Sequence, residues 1–92
     1  NTGGKEGKRA DLRQTDLSGL DLSQADLRYS ILRYAYLRDA YLRDADLIGA
    51  DLSHADLRYA DLRHADLIGE YLRGVDLRQT DLRDADIEGV KS

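Results

Sequence analysis

Residues 45–69 read ADLIG-ADLSH-ADLRY-ADLRH-ADLIG, five units of five residues that share the start Ala-Asp-Leu. The same register continues in both directions without an insertion, from Ala10 to Gly89, and gives sixteen units. The third position is Leu in fifteen units and Ile87 in the last, while Ala holds the first position in ten units and Asp the second in twelve. The chain is therefore dominated by one internal repeat with a period of five.

A period of five suits neither a long helix nor a long strand. On an α-helix, residues five apart advance by about 500°, so the Leu row would spiral around every side. A short extended segment followed by a corner instead places Leu inside and its two neighbours outside, and the small first residue fits inside the crowded corner. Four corners close a coil of twenty residues. We therefore predict an all-β solenoid of four coils, stacked about 4.8 Å apart, and this geometry does not fix the hand.

The repeat resembles the pentapeptide-repeat family, whose motif is a small residue, Asp or Asn, Leu or Phe, and two variable residues. The resemblance covers Ala10 to Gly89 and implies a right-handed quadrilateral β-helix, with residues 1–9 as a flexible polar tail and 90–92 as a short C-terminal end. These repeats contain neither Asn nor Phe, although both are common in natural members. This uniformity fits a consensus-designed repeat protein and also a recent tandem duplication, because segments 45–64 and 65–84 both begin Ala-Asp-Leu-Ile-Gly.

Three local features lead to further expectations. Residues 1–9 are polar and only three residues follow the last repeat, although solenoids normally need caps; we expect end-to-end association, a covering segment, or frayed end coils. Glu70 stands where the pattern asks for a small inward residue, and we expect it to lean toward solvent because a buried lone carboxylate is costly. Gly fills the fifth position in only five units, so we do not expect uniform type II turns, which need positive φ there.

Composition and spacing argue against catalysis. The chain of 92 residues fits one domain and has no Cys, so it has no disulfide or thiolate–metal site. His54 and His64 lie two units apart, on opposite sides of the predicted square, and cannot share a metal ion. Asp recurs in nearly every unit and reads as scaffold. We predict no catalytic residue, no metal, no cofactor and no enzyme activity.

The hydropathy and the charge of the chain argue against two classes of partner, membranes and nucleic acids. No apolar run approaches the roughly 18 residues of a membrane span, so we expect no membrane partner. The net charge of −4 argues against nucleic acid as a partner.

One outer face differs from the other three. Residues twenty apart share a face, and three faces carry Arg columns at the fourth position. The fourth face has Ile48 and Ile68 there, beside Gly49 and Gly69, with an acidic column at the second position. A narrow apolar strip rimmed by carboxylates is thus the candidate interface, made of Ile48, Ile68, Asp46, Asp66, Gly49 and Gly69. The alternative is structural, since Ile packs well against Ile across neighbouring strands and Gly suits a tight turn.

An aromatic belt in the second coil is a secondary candidate interface. Ile31, Tyr36 and Tyr41 replace Asp on three consecutive sides, and Tyr29 and Tyr34 lie close by. Tyr is common in interface hot spots, but it also packs over Arg stems as an ordinary strand residue.

The leading functional hypothesis is a non-catalytic scaffold or protein-interaction module. It would bind a partner protein, or associate with itself through the open ends or the Ile48/Ile68 face. The alternative comes from the family resemblance, which implies a DNA mimic that binds DNA gyrase and protects it from quinolones. That role needs a rod with regular negative charge. Residues 10–89 hold seventeen acidic and ten basic side chains, but three Arg columns dilute the field.

Overall fold

The computed structural model describes residues 9–91. In this range, β-pairing joins each turn of the solenoid to the turn that follows it in the sequence. Thirteen isolated parallel bridges join second-position residues twenty apart, from Asp11↔Ile31 to Tyr71↔Lys91. Among residues 9–91 there is neither a helix nor a strand of several paired residues. One circuit of the chain therefore takes twenty residues, and the bridges recur every five.

The solenoid has four faces and four levels. The first face begins at Ala10, the second at Thr15, the third at Leu20 and the fourth at Ala25. Levels 1 to 4 are residues 10–29, 30–49, 50–69 and 70–89. No helix in the described part of the chain has the length and apolar character to span a bilayer.

A dense set of backbone hydrogen bonds replaces long strands. The N–H of Leu32 donates to the carbonyl of Asp51 one level above, at 2.8 Å, and the N–H of Asp51 donates to Ser30 one level below, at 3.0 Å. The fifth position adds a third bond, as from Tyr34 to the carbonyl of Ser53 at 3.0 Å. Each unit is thus tied to its neighbours above and below, which satisfies most of its backbone polar groups.

The corners are turns of one kind, against expectation. In every unit the third-position carbonyl accepts the N–H of the next unit's first residue, as from Ala55 to Leu52 at 2.9 Å. All sixteen fifth-position residues have positive φ, from 59° at Gln14 to 71° at Gly74, and eleven of them are not glycine. The expectation drawn from the scarcity of Gly was wrong. The interlevel hydrogen bonds on both sides of the corner hold residues such as Tyr59 in a conformation that otherwise costs about 1–3 kcal/mol.

The interior consists of stacked Leu and Ala, as the repeat predicts. All the third-position Leu and first-position Ala between Leu32 and Leu67 are at most 2% exposed. Burial fades at the two ends, where Leu12, Leu17, Leu72 and Leu77 are only partly buried. Leu20 is 47% exposed and Ile87 57%. Apolar side chains are thus open at both ends, and end-to-end association remains a prediction.

Glu70 contradicts its expected position. Its side chain is 0% exposed, and neither carboxyl oxygen has a hydrogen-bond partner. Its backbone explains why it cannot lean outward: its N–H donates to Leu67 at 3.1 Å and its carbonyl accepts from Lys91 at 2.8 Å, which fixes the corner with the side chain inside. Burial raises the pKa of Glu70 from 4.5 to about 9.

The predicted end segments meet the described range only in part. Residues 1–8 of the predicted tail lie outside it, while the Nε of Arg9 donates to the carbonyl of Tyr29. Val90 and Lys91 continue the hydrogen-bonded corner and ladder of the repeats.

Candidate interaction surface

The second-position aspartates first serve the backbone. In all twelve units with Asp at the second position, one carboxylate oxygen accepts the N–H of the residue two positions later, as from Ile48 to Asp46 at 3.2 Å and from Ser53 to Asp51 at 3.0 Å. This is the local turn that Asp side chains favour. The Asp columns are therefore built into the corners, which accounts for their recurrence without any catalytic role.

Arginine then neutralises most of these carboxylates. In the six Asp-Leu-Arg units the guanidinium binds its own Asp through two N–H groups; in the unit of Arg58, Nε donates to Asp56 at 2.8 Å and Nη2 at 2.7 Å. Nε of Arg58 also lies 3.8 Å from Asp76 one level above. These hydrogen bonds from Arg58 lower the pKa of Asp56, and those from Arg78 lower the pKa of Asp76 to about 2. Carboxylate and guanidinium groups thus alternate from level to level along this face.

The fourth face lacks this alternation over its upper half. At its lower end Arg28 pairs with Asp26 at 2.8 Å and lies 3.8 Å from Asp46. Among residues 9–91, no cationic side chain lies within ion-pair distance of the acids above them, which are Asp66, Asp86 and Glu88. Negative charge is therefore concentrated toward the C-terminal end of this face.

The apolar strip of the fourth face is longer than the sequence indicated. Ile48 and Ile68 are half-buried on adjacent levels. The ring of Tyr29 lies over Gly49, because a Cβ added at Gly49 would stand 2.6 Å from Tyr29 Cδ1. Above Gly69, by contrast, a Cβ would meet nothing within 4 Å. The strip thus runs from Tyr29 through both isoleucines to an open backbone patch at Gly69.

Tyr29 was not among the residues predicted for this interface, although a signal for it exists. An aromatic ring at a fifth position is followed by Gly twenty residues later at Tyr29–Gly49 and again at His54–Gly74, and in both pairs the ring occupies the space that a Cβ of the glycine would need. Gly49 therefore belongs to the strip because the Tyr29 ring packs against it, and Gly69 because the space beside its backbone is open.

The secondary candidate residues do not form one surface. Ile31 and Tyr34 lie on the first face, Tyr36 on the second and Tyr41 on the third. Tyr36 and Tyr41 are each 53% exposed, and the ring of Tyr34 stacks on His54 with centroids 4.9 Å apart and planes 12° apart. A flat partner could touch two of these faces at a corner but not all three.

The two histidines occupy separate faces. His54 lies on the first face, and His64 on the third, with its Nε2 3.8 Å from Asp84. Within residues 9–91 no group of three or more His, Asp or Glu side chains could hold a metal ion.

A family model for pentapeptide repeats matches the chain with eight copies, over residues 8–44, 35–69 and 60–91. The chain belongs to the pentapeptide-repeat family. Members of this family are generally structural repeat proteins without enzymatic activity, and their solved structures imply a right-handed quadrilateral β-helix for this one. None of the curated protein sequences compared with this pentapeptide-repeat protein matches it.

Solved structures agree with this assignment. The protein is similar to alr5209, a pentapeptide-repeat protein from Nostoc PCC 7120, with a TM-score of 0.80 and 37% identity over 91% of this chain and 81% of that one. It is similar to AT2G44920 from the Arabidopsis thaliana thylakoid lumen, with a TM-score of 0.63 and 35% identity over 88% of this chain and 63% of that one. QnrB1, a plasmid-mediated fluoroquinolone resistance protein, shares the fold at 22% identity and a TM-score of 0.64, with 87% of this chain and 44% of that one covered.

Proposed function

We propose that this pentapeptide-repeat protein is a non-catalytic interaction scaffold whose fourth face binds a partner protein. The observation that carries the proposal is the contrast between faces. Three faces expose fourth-position arginines, most of them paired with Asp, whereas the fourth exposes Ile48 and Ile68 beside the open backbone of Gly69. Depletion of charge around an apolar centre is the compositional mark of an interface core.

The rim of the strip defines the chemistry of the partner. The acids Asp66, Asp86 and Glu88 border the strip, so the fitting surface has an apolar centre and basic residues around it. A second copy of the chain fits less well. Two fourth faces placed together would bring one Arg and five acidic side chains from each copy, namely Arg28, Asp26, Asp46, Asp66, Asp86 and Glu88. Like charges at an interface cost several kcal/mol, so we favour a different, basic partner.

The test compares two charge-matched variants in affinity capture. Ile48→Arg with Ile68→Arg adds two positive charges inside the strip, while Ser18→Arg with Ser23→Arg adds the same charges on the second and third faces. A partner of the fourth face should bind the parent and the Ser variant and lose the Ile variant, with circular dichroism unchanged in all three. Sedimentation of the same set would identify a second copy as the partner. Capture that survives the Ile substitutions would refute the proposal.

Mimicry of DNA toward gyrase remains the second candidate because of the unpaired acids on the upper fourth face. Its weakness is the arginine pairing on the other three faces, which leaves no regular negative field around the rod. A gyrase supercoiling titration with the parent and with Asp46→Lys/Asp66→Lys separates the two functions. Inhibition that the double variant loses would favour the mimic, and no inhibition at high micromolar concentration would exclude it.

A further inference from the structure

The arginine column of the first face is interrupted at level 3. The fourth position reads Arg13, Arg33, Ser53 and Arg73 from level 1 to level 4. Because Ser53 is short, a notch of about 470 Å³ opens between Arg33 and Arg73, and Asp51, Tyr71 and Lys91 also line it. We call this the Ser53 notch.

The two arginines that flank the Ser53 notch lack the carboxylate that the repeat normally supplies. In the six Asp-Leu-Arg units, the Asp two residues earlier accepts the backbone N–H and two guanidinium N–H groups, as Asp61 does from Arg63. Ile31 stands at that place before Arg33, and Tyr71 before Arg73. The guanidinium N–H groups of both arginines therefore lack the second-position carboxylate that accepts them in the other units.

Neighbouring acids do not make up the deficit. Nε of Arg33 is 3.9 Å from Asp51, longer than a hydrogen bond. Asp51 already accepts the N–H of Ser53 at 3.0 Å and its hydroxyl at 2.6 Å. Arg73 has no ion-pair partner among residues 9–91. With Lys91, three cations thus face one engaged carboxylate, in a protein whose net charge is −4.

One wall of the notch is held in place by ring packing. His54 stacks on Tyr34 one level below it, and its imidazole fills the space beneath Gly74, where an added Cβ would stand 2.4 Å from Nδ1. On the opposite side, Nζ of Lys91 lies 5.2 Å from the centroid of the Tyr71 ring. These contacts hold His54 and Lys91 at the two flanks of the notch.

The other arginines without an Asp at the second position of their unit, Arg38 and Arg43, do not form such a site. Arg38 lies over the ring of Tyr59, 5.7 Å from its centroid, and Arg43 is followed one level above by the long side chain of Arg63. Only the first face combines two such arginines with a short residue between them, among residues 9–91.

We propose that the Ser53 notch binds a small ligand with two oxyanion groups, carboxylate or phosphoryl, one held by Arg33 and the other by Arg73. The flanking residues are two levels, roughly 10 Å, apart along the stack, which side chains leaning inward can bridge with one polyvalent anion. The guanidinium fork matches both kinds of oxyanion by two-point hydrogen bonding. Lys91 adds a third positive charge at the upper rim.

Calorimetric titration of the whole protein with pyrophosphate and with citrate tests this site and distinguishes the two kinds of group. At least one of the two should bind saturably with a stoichiometry of one and should weaken as salt rises. Arg33→Gln and Arg73→Gln should each weaken binding about tenfold or more, because a charge-assisted hydrogen bond is lost. Arg43→Gln is the matched control, since it removes the same charge from another arginine whose unit has Tyr in place of the second-position Asp.

Ser53→Arg gives the sharpest result, because it restores the common Asp-Leu-Arg unit and fills the notch. We expect it to fold, to pair with Asp51, and to abolish binding although it adds positive charge. Non-specific attraction predicts the opposite. Equal or stronger binding by Ser53→Arg, an equal loss in Arg43→Gln, or no saturable binding of either probe at millimolar concentration would overturn the proposal.

Discussion

Replacing Glu70 by Ala should raise the free energy of unfolding at neutral pH. The carboxyl group is fully buried, and neither oxygen has a hydrogen-bond partner. In the same first-face column, Ser30 is also buried, but its hydroxyl donates to the carbonyl of Leu27 at 2.7 Å. Glu70 is thus the one polar core side chain, among residues 9–91, with no such compensation.

The size of the effect follows from the pKa. Burial raises the pKa of Glu70 from 4.5 to about 9, so the folded state binds the proton more tightly than the unfolded state does. The contribution of Glu70 to stability is therefore fully present below pH 4.5 and is lost as the pH rises toward 9, by about 1.4 kcal/mol per pH unit. At pH 7 this loss amounts to about 3 kcal/mol, a large share of the stability of a small domain.

Chemical denaturation followed by circular dichroism, repeated from pH 4 to pH 8, measures this loss. Glu70→Ala should remove the loss of stability that accompanies ionisation of Glu70, and should gain about 3 kcal/mol more over the parent at pH 7 than at pH 4. Glu70→Gln should also lose the slope but stay less stable than Glu70→Ala, because a buried amide without partners keeps its desolvation cost. Glu88→Gln, which changes an exposed carboxylate at the surface, is the control.

Parallel curves for the parent and Glu70→Ala across this range would refute the argument. They would mean that the carboxylate reaches water in the folded protein with an ordinary pKa. An intermediate slope would correspond to opening of the last corner around Lys91, whose N–H is bonded to the Glu70 carbonyl, and hydrogen exchange at Lys91 would show it directly.

Three further outcomes are expected from the same structure. Leu57→Ala at the centre of the stack should lower the free energy of unfolding by about 2–5 kcal/mol, whereas Leu17→Ala at the partly exposed level 1 should cost clearly less by the same denaturation measurement. Gly49→Ala should displace the Tyr29 ring and alter tyrosine fluorescence, while Gly69→Ala, with an equal φ but open space, should leave the fluorescence unchanged. Thermal unfolding between pH 5 and pH 2 should show stability falling as the pH drops, because arginine hydrogen bonds hold the pKa of Asp26, Asp76 and Asp81 at about 2, below the ordinary 3.8. The double variant Asp81→Asn with Arg83→Gln should reduce that fall in stability, and an unchanged fall would contradict the prediction.

The sequence predicted the inward and outward directions well because they follow from local geometry. A Leu with outward neighbours on both sides can bury itself only inside the coil, and the stack places every such Leu alike. The corner conformation was not predictable from the number of glycines. At Tyr59, the N–H bond to Arg78 at 3.2 Å and the turn bond of Ala60 at 3.0 Å hold a positive φ that propensity alone disfavours.

Departures from the repeat were harder to interpret than the repeat itself. The position of Glu70 depends on a corner whose backbone is bonded on both sides, which outweighs the side chain's preference for water. The Ser53 notch depends on three separate replacements, at Ile31, Ser53 and Tyr71, on three different levels. Each is unremarkable within its own unit, and their combined effect appears only when the levels are stacked.

The same stacking separates stability from recognition in this protein. The core and corners use the first, second, third and fifth positions, while the fourth-position side chain points outward and bonds at most to the Asp of a neighbouring second position. Substitutions at Ser53, or at Ile48 with Ile68, should therefore change binding while the free energy of unfolding stays within about 0.5 kcal/mol, as for ordinary surface sites. Leu57, one position away from Arg58, should behave in the opposite way. A solenoid of this kind can thus carry an apolar strip on one face and a cationic notch on the next. The residues of both can change with little effect on the free energy of unfolding.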